Sequence, residues 1–425
     1  MQRFFYSFAT AIGLFGLVIS WPLLPLRAQT TNQTVPDNYI VLLNDQATTN
    51  PTAILGAHQI IAHQTFSHAL NGFAGSLTAS QITDLQHDPR VKAIVPDHYV
   101  NATITRQSSI LTTPVRATTR QAASQTVSTG LNRTGINATN KGTGIGVAVL
   151  DTGIDLQHPD LATNIVADTS CLANQTRGND DNGHGSHIAG IIAAANNNLG
   201  VLGVAPEAKL VAIKVLDRNG IGTWSSVICG IDWATAHAAQ YNIKVANLSL
   251  AGPGTSDNNC GKTNNDPLHQ AICQSTAAGI TYVVAAGNSN ADASNSVPAS
   301  YKDSVISVSA LADSDGQPGG LGVRTAYGAD DTFASFSDFG SVIDLGAPGV
   351  NIRSTWINNG YASESGTSMA APFVSGCAAL YLKNHPTAGW SEVRQNLIQA
   401  AETVGNGHSD PSGHHSEPVV RCSQF

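Results

Sequence analysis

The sequence is poor in charged residues, and its basic residues are outnumbered by acidic ones. Of 425 residues only 12% are charged, and 21 Lys and Arg against 29 Asp and Glu give a formal net charge of -8. A chain without an excess of basic residues is not expected to bind nucleic acid. The low charge does not indicate disorder, because 42% of the residues are hydrophobic and 40 are glycines. This composition is typical of a globular chain with many tight turns, long enough for two folded units.

Long apolar runs are also absent, except at the N-terminus. There Arg3 precedes an apolar stretch, and Ala28 provides a small residue at which a secretory signal could be cleaved. We interpret residues 1–28 as a signal peptide and expect a secreted, extracellular protein. An uncleaved membrane anchor is the alternative, but Pro22 and Pro25 interrupt the run near its end. No later segment is apolar over the length that a bilayer requires, so we expect no membrane association after cleavage.

Cysteine is absent from the first 170 residues, and all six cysteines follow. An even number in an exported chain suggests disulfides, although buried thiols are the alternative. Cys260 and Cys273 are close in sequence across a polar loop and form the favoured pair. A bond between Cys377 and Cys422 would attach the C-terminal tail. The sequence does not determine the full connectivity.

Residues 36–105 carry the pattern of a small domain in which strands and helices alternate. The successive segments are YIVLLN (strand), PTAILGAHQIIAHQ (amphipathic helix), FAGSLT (strand), ASQITDLQHD (helix) and VKAIVPDHYV (strand). This order predicts a compact α+β domain. Residues 101–129, in contrast, are rich in Thr, Ser, Gln and Ala without an apolar period. That composition is typical of a linker open to proteolysis or of a simple spacer.

From about residue 130 the pattern changes to apolar strands separated by helices. The strands are GVAVLD, KLVAIKVL, VANLSL, ITYVVAAG and SVISVSAL. Continuous apolar strands that alternate with helices predict an α/β fold, a parallel sheet flanked by helices on both faces. In such a sheet, functional residues gather at the carboxyl ends of the strands.

Polar residues stand at these ends and at helix starts. Asp151 follows the strand GVAVL, and Asn288 follows ITYVVAAG. His184 lies at the start of a helix of small residues, whose dipole favours the neutral imidazole that a general base needs. Ser368 begins the helix SMAAPFVSGCAALYL, with Pro372 expected near its first turn and backbone N–H groups beside the hydroxyl. Taken singly, each residue has a structural explanation as a turn, cap or core residue.

The motifs VLDTGID, HGSHIAG, AAGN and GTSMAAP, in this order, resemble those of the subtilisin-like serine proteases, the subtilase family. The resemblance extends from about residue 130 into the C-terminal region. It implies that Ser368 is the nucleophile, that His184 is the general base, that Asp151 orients His184, and that Asn288 belongs to the oxyanion hole. Ser186 stands where the family more often has threonine, without an expected consequence. The implied activity is that of a serine endopeptidase that acts through an acyl-enzyme on polypeptide substrates.

The resemblance also implies two extended segments that bind the substrate backbone as added strands. One is GIGTW, and the other is NLSLAGPG, where alanine replaces the first glycine of the family's Ser-Leu-Gly-Gly run. Small uncharged residues would form the pocket floor, which suggests medium or large apolar side chains before the cut bond. The implied substrate-binding residues are Gly222, Trp224, Ser249, Leu250, Ala251, Gly252, Ala286 and Gly287, with Ser296 as a further candidate.

The segment NNNLGVLGVAP resembles a calcium loop of the family. Calcium takes six to eight hard oxygen ligands, and a polar turn without an ion is the alternative. By position, the implied ligands are the Asp160 carboxylate, the Asn197 side chain and the carbonyls of Ala195, Leu199 and Val201. The run ADSDGQPGG (312–320) could form another acidic site, although a flexible loop is the favoured interpretation.

Residues 29–105 resemble the inhibitor-type propeptide of these proteases. The resemblance implies an autoprocessed zymogen whose propeptide assists folding and then inhibits the enzyme. The linker 106–129 would contain the maturation site, with self-cleavage somewhere in residues 101–129, and 130–425 would form the catalytic domain, expected to be a monomer. Five histidines of the propeptide could weaken it at acidic pH, but solvated histidines without effect are the favoured interpretation.

Two other functions remain open from the sequence. A non-catalytic subtilase relative could act as a binding protein, but such a protein would usually lack a triad residue, and none is missing here. The same site could also catalyse transpeptidation or ester hydrolysis, because the acyl-enzyme is shared and only the acceptor differs.

Overall fold

The structure is a computed structural model that describes residues 34–44, 50–102, 124–135, 137 and 139–425. The predicted signal peptide, residues 1–28, and most of the predicted linker lie outside these ranges. Within them, no helix has both the length and the apolar character needed to cross a membrane.

The N-terminal domain is an antiparallel sheet of four strands, in the order β4-β1-β3-β2, with two helices. Its elements are β1 (Thr34–Leu43), α1 (Pro51–Ala57), β2 (Gln64–Phe66), β3 (Gly72–Ser76), α2 (Ala79–Gln86) and β4 (Val91–Ala102). The apolar sides of strands and helices meet in a small core around Val41, Ile54, Phe73 and Leu85. This is the α+β domain that the sequence predicts.

The helix predicted from PTAILGAHQIIAHQ is shorter than its apolar pattern suggests. α1 ends at Ala57, and Gln59 has a φ of 50°, which a helix cannot continue through. The chain then turns, and residues 64–66 pair with β3 as β2. The apolar residues that follow Ala57 in the predicted helix, Ile60, Ile61 and Ala62, therefore lie in the loop before β2.

The remaining described residues form a larger α/β unit. Its helices are α3 (Thr129–Thr134), α4 (His184–Ala193), α5 (Trp224–Ala236), α6 (Pro267–Ala277), α7 (Thr367–Asn384) and α8 (Trp390–Ala400), with a 3₁₀ turn at Ala293–Asn295. Its strands are β5 (Gly146–Asp151), β6 (Ile165–Ser170), β7 (Lys209–Lys214), β8 (Ile221–Thr223), β9 (Ile243–Leu248), β10 (Leu250–Pro253), β11 (Thr281–Ala285), β12 (Ser296–Val297), β13 (Val305–Ala312), β14 (Thr332–Phe333), β15 (Leu345–Pro348), β16 (Ile352–Trp356) and β17 (Gly360–Glu364).

The central sheet has the order β14-β13-β11-β9-β5-β7-β6, and β15 also pairs with β13. All of these pairs are parallel except the one between β13 and β14. Helices cover both faces, as the apolar strands predict. In β5, Val147 and Val149 face the core that contains α4 and α7, whereas Ala148 and Leu150 face the core that contains α5 and α6.

Three disulfides are present in the α/β unit. Cys171 is bonded to Cys229, Cys260 to Cys273, and Cys377 to Cys422, with Cα–Cα distances of 5.9, 5.7 and 5.0 Å. The last two pairs are those favoured from the sequence. The Cys377–Cys422 bond attaches the C-terminal segment to α7.

Candidate active site

Asp151 and His184 meet at the carboxyl edge of the central sheet. Asp151 is the last residue of β5, and His184 is the first residue of α4. The His184 Nδ1 lies 2.7 Å from the Asp151 Oδ1, and both side chains are buried. The Thr152 N–H also donates to Oδ1 at 2.7 Å. Asp151 and His184 are 33 residues apart in the sequence. The end of β5 and the start of α4 thus hold them together as one carboxylate–imidazole pair.

The protonation of His184 is set by two opposing effects. Burial lowers the pKa of its imidazole, but the negative charge and hydrogen bond of Asp151 outweigh burial and raise the pKa overall. Asp180 and Glu364 add to the rise. The dipole of α4, which favours the neutral ring, is a separate effect. The carboxylate in direct contact acts in the opposite direction and favours the protonated ring.

Ser368 is the second residue of α7, and a strand–helix contact fixes its backbone. Pro372 is the sixth residue of this helix, beyond the first turn where the sequence placed it. Because proline has no N–H, it cannot donate to the Ser368 carbonyl. The Ser249 hydroxyl donates to that carbonyl at 3.0 Å, and the Ser368 hydroxyl donates to the Ser249 carbonyl at 3.2 Å. This pair of bonds ties the start of α7 to the segment between β9 and β10.

The second ring nitrogen of His184, Nε2, is buried and has no hydrogen-bond partner among the described residues. The hydrogen bond described for the Ser368 hydroxyl goes to Ser249. α4 and α7 nevertheless pack against each other on the same face of the sheet. The structure thus joins Asp151 and His184 directly, and it brings the helices of His184 and Ser368 together.

Asn288 lies beside the start of α7 with a fixed amide. Its Oδ1 accepts hydrogen bonds from the Thr367 N–H at 2.9 Å and from the Thr367 hydroxyl at 3.0 Å. Its Nδ2 is shielded from solvent and has no acceptor among the described residues. A shielded donor without an acceptor costs about 1–3 kcal/mol. Such a donor, next to the residue that precedes Ser368, is suited to bind a negatively charged oxygen.

The two segments predicted to bind a substrate backbone hold a strand of the N-terminal domain. β4 pairs antiparallel with both, Val100 opposite Gly222 and Asn101 opposite Ala251. The Ala102 N–H donates to the carbonyl of Gly220 at 2.9 Å. The N-terminal domain thus supplies the middle strand of a three-stranded arrangement, which is the geometry of an extended peptide bound in a cleft.

The other predicted substrate-binding residues surround this strand. The ring of Trp224 packs against His98 with the centroids 4.3 Å apart. A Cβ on Gly252 would lie 3.1 Å from the Tyr99 carbonyl oxygen, so glycine permits the close approach of β4. Leu250 is buried opposite Ala102.

A cavity of about 300 Å³ opens beside Asn288. Of the predicted pocket residues, Ala286 is buried and does not line it. Asp292 and Asp338 also line it, which the sequence did not predict, and burial raises the pKa of Asp338. The residues around the cavity are Ala251, Gly252, Pro253, Gly287, Asn288, Ser289, Ala291, Asp292, Asn295, Ser296 and Asp338.

Sequence reasoning missed the carboxylates that dock the N-terminal domain. Asp97 of β4 accepts hydrogen bonds from Ser225 at the start of α5. Asp232 of α5 accepts the backbone N–H groups of His68 and Ala69, each at 2.7 Å. In the sequence, Asp97 is one of several polar residues of its strand, and nothing there distinguishes it as a docking residue.

The predicted calcium ligands lie together, around Asp160. The Asp160 Oδ1 accepts from the Asn197 amide at 3.1 Å, and Oδ2 accepts from the Val201 N–H at 3.1 Å and from the Tyr361 hydroxyl at 2.8 Å. The Leu199 N–H donates to the Asn197 Oδ1 at 2.9 Å.

A further residue reaches this loop from the predicted linker. The Gln125 amide lies 2.7 Å from the Ala195 carbonyl oxygen and 2.9 Å from that of Val201. Two carbonyls thus converge on one amide group, and amide oxygen and nitrogen can exchange places by a flip. If the Gln125 amide oxygen faces these carbonyls, the loop offers carboxylate, amide and carbonyl oxygens. Such a group of oxygen ligands fits a calcium ion. No feature of the sequence around Gln125 identified it.

Comparison with known proteins identifies the family to which both parts of the chain are similar. The family model described as the subtilase family, Peptidase S8, matches residues 142–414, and the model of the peptidase inhibitor I9 matches residues 38–103. Subtilisin DY from Bacillus licheniformis is 41% identical over 269 residues, which are 63% of this chain and 86% of that protein. A thermostable alkaline protease from Halalkalibacterium halodurans is 39% identical over 334 residues, which are 78% of this chain and 77% of that protein.

A solved structure is also similar. The crystal structure of a cold adapted subtilisin-like serine proteinase covers 67% of this chain and 91% of its own, with 33% identity and a TM-score of 0.55. These matches confirm the family predicted from the four motifs and the fold predicted from the strand pattern. A subtilisin-type serine endopeptidase domain is here preceded by an inhibitor-type propeptide domain, and the chain belongs to the subtilase family.

Proposed function

We propose that the chain is a secreted endopeptidase that cuts peptide bonds with Ser368 as nucleophile, His184 as general base and Asp151 as the group that orients His184. The observation that carries this proposal is the buried Asp151–His184 pair at 2.7 Å. It fixes Nδ1 as the protonated ring nitrogen and leaves Nε2 as the base.

In the proposed mechanism, the Ser368 hydroxyl attacks the substrate carbonyl while His184 Nε2 takes its proton. The same proton then passes to the leaving amine, and an acyl group remains on Ser368. Water then attacks the acyl carbon while Nε2 takes its proton, and this proton passes to the Ser368 oxygen as the acid leaves, which regenerates the hydroxyl. The described bond of the Ser368 hydroxyl to Ser249 does not oppose these steps, because catalytic hydrogen bonds often form fully only with substrate present.

The oxyanion is bound by the Asn288 Nδ2 and the backbone N–H of Ser368 in this proposal. Its support is the shielded Nδ2 described above. Replacing Asn288 by alanine is expected to lower kcat by about 10²–10³-fold, a magnitude measured within this same family. KM should change much less, because the bond forms mainly in the transition state.

The N-terminal domain acts here as an inhibitor whose last strand occupies the cleft. Ala102 stands opposite Leu250, and the preceding Ser249 contacts Ser368. Ala102 is the last described residue of β4 and lies beside the segment that contacts Ser368. We therefore expect the first self-cleavage shortly after Ala102, within the range 101–129. N-terminal sequencing of the first product tests it, and a mature chain that starts near residue 29 would contradict it.

A structural calcium ion is proposed at Asp160, Asn197, Ala195, Leu199 and Val201, with Gln125 as an added ligand. Calcium would supply positive charge to this oxygen-rich loop and hold residues 124–126 against it. Secretion is proposed from the signal-peptide pattern at residues 1–28, and its test is the presence of the processed chain in the culture medium.

Hydrolysis of a peptide library by the processed chain tests the function. Ser368→Ala, cut by added parent enzyme and purified away from it, should reduce turnover to the background rate, and Ser363→Ala, an exposed serine on β17, should leave it unchanged. Turnover by Ser368→Ala at the parent rate would contradict the assignment. Mass analysis of the products separates hydrolysis from transpeptidation, because transfer yields peptides longer than the substrate.

A further inference from the structure

Three carboxylates come together in the loop between β13 and β14. These strands pair antiparallel with Ala312 opposite Thr332, so the segments that follow and precede them run side by side. One carboxylate oxygen from each of Asp313, Asp315 and Asp330 lies within 4.8 Å of the other two. The loop thus brings together an acidic cluster, which is the alternative to a flexible loop that the sequence left open.

Asp313 is almost completely buried, with 2% of its surface exposed. Its Oδ1 accepts a hydrogen bond from the Gly316 N–H at 2.9 Å. Its Oδ2 is shielded and accepts no hydrogen bond from any residue in the described ranges. Burying a carboxylate oxygen without a partner is costly, because nothing replaces the lost water. Oδ2 therefore requires a proton or a cation.

The other two carboxylates keep the cluster folded and accessible. The Asp330 Oδ1 accepts from the N–H and hydroxyl of Ser314 at 2.7 and 2.9 Å, and its Oδ2 accepts from the Gly322 N–H at 2.7 Å. A carboxylate has about four lone-pair positions, so acceptor capacity remains. Asp315 is exposed, and its described bond goes to the Gln317 N–H. An ion could therefore enter from the side of Asp315.

In the part of the chain that the structure describes, no positive side chain forms an ion pair with this cluster. Arg133 is the nearby cation, but its guanidinium binds Asp331 at 2.7 Å and Glu402 at 2.6 Å. None of the ion pairs found among the described residues includes Asp313, Asp315 or Asp330. The three carboxylates thus have no ion-pair partner in residues 124–135, 137 and 139–425 or in the described propeptide domain.

We propose that Asp313, Asp315 and Asp330 bind a calcium ion, at a site separate from the loop of Asp160. Calcium takes oxygen ligands at about 2.3–2.6 Å, so oxygens within 4.8 Å of one another can all contact one ion. Carboxylates without sulfur or imidazole select a hard cation. The other such cluster of the described residues, Cys260, Cys273 and Asp303, differs because a disulfide occupies both sulfurs.

The ion stabilises the contact between this loop and α3. A Cβ on Gly316 would lie 2.9 Å from the Asn132 Cβ and 3.0 Å from the Thr129 carbonyl oxygen, so the loop backbone packs directly on the helix. Asp331, at the other end of the loop, binds Arg133 of α3. An ion bound to Asp313 and Asp330 therefore fixes both ends of the loop between β13 and β14, which packs against α3.

The competing explanation is a protonated Asp313. Burial raises the pKa of its carboxyl to about 7, and Asp331 and Asp330 add to the rise while the Gly316 N–H and Arg133 oppose it. A proton on Oδ2 would remove the charge without any metal. The two explanations differ in whether the loop binds a calcium ion. Measurements of calcium binding therefore distinguish them.

The test counts calcium ions bound to the full chain, kept uncut by Ser368→Ala. Equilibrium dialysis with radioactive calcium should give one equivalent fewer, or at least tenfold weaker binding of one equivalent, for Asp313→Asn and for Asp315→Asn. Asp315 is exposed, so its replacement keeps the test valid even if Asp313→Asn does not fold. Asp84→Asn, an exposed carboxylate on α2, is the matched control and should bind like the parent.

Equal numbers and affinities for parent, Asp313→Asn and Asp315→Asn would overturn the proposal and favour the protonated carboxyl. Magnesium chloride at the same concentration should not displace this equivalent of calcium. Displacement by magnesium at or below the calcium concentration would also overturn the assignment. The result is independent of the catalytic roles proposed above, because no turnover is measured.

Discussion

The Asp97 carboxylate of the propeptide domain accepts hydrogen bonds from Ser225 of the catalytic domain, from its N–H at 3.1 Å and from its hydroxyl at 2.5 Å. Asn38 also donates to it, at 2.8 Å. Ser225 is the second residue of α5, where N–H groups have no partner within the helix. Asp97, on a strand of the propeptide domain, therefore accepts hydrogen bonds from donors at the start of a helix of the catalytic domain.

Removing this carboxylate should weaken the docking of β4. Asp97→Ala leaves buried donors unpaired, at a cost of about 1–3 kcal/mol, which corresponds to about 5- to 150-fold. Hydrogen exchange of the uncut Ser368→Ala chain measures this as faster exchange of the amides of residues 98–102. Asp84→Ala, an exposed change in the same domain, is the control. Unchanged protection in Asp97→Ala would show that the contact does not hold the strand.

The docked domain should also be sensitive to acid through His98. Burial lowers the pKa of His98 below its ordinary value of 6.5, and the charges of Asp97 and Asp266 oppose this only in part. The docked form therefore prefers the neutral ring against Trp224. Docking is at full strength above pH 6.5 and weakens as the pH falls below it, because the released domain binds the proton more readily.

Size-exclusion chromatography of the processed complex measures the bound fraction between pH 8 and pH 5. The bound fraction should fall below pH 6.5, and the fall should diminish in His98→Gln, whereas His87→Gln on the exposed end of α2 should behave like the parent. A bound fraction that is constant over this pH range would show that protonation of His98 does not weaken docking. The propeptide histidines would then be solvated residues without effect.

Activity should depend on pH through His184. Because Asp151 raises the pKa of His184, the acid limb of kcat/KM is expected to have its midpoint above 6.5, with activity lost as the pH falls. Asp151→Asn should move the midpoint down and lower kcat by about 10⁴-fold, as removal of this carboxylate does in another triad. Glu392→Gln, an exposed change on α8, is the control. An unshifted midpoint in Asp151→Asn would mean that another group titrates.

Calcium removal should destabilise the chain through the loop of Asp160. An ion present at 100 times its dissociation constant contributes about 2.7 kcal/mol, so chelation should lower the Tm by several degrees. Gln125→Ala should reduce this calcium-dependent difference, and Gln157→Ala, an exposed glutamine, should not. If both variants respond to calcium like the parent, Gln125 is not a ligand.

Local patterns predicted most of the catalytic framework. β5 is apolar on both faces and ends in Asp151, and α7 begins beside Ser368. The predicted ends of this strand and this helix therefore match the observed ones within a few residues. Relationships between distant residues were not predictable. Asp97 and Ser225 are 128 residues apart, and Gln125 lies in a segment without any periodic pattern. The end of α1 was missed because the apolar spacing continues past the turn at Gln59.

The most direct test of the account is the position of a covalent adduct. The processed chain is treated with an organophosphorus probe, digested, and analysed by mass spectrometry. We predict one adduct per chain, on Ser368, absent from Ser368→Ala and strongly slowed in His184→Ala when both variants have been cut by added parent enzyme and purified away from it. An adduct on another serine, or no adduct on a chain that cleaves peptides, would contradict the assignment of Ser368 as the nucleophile.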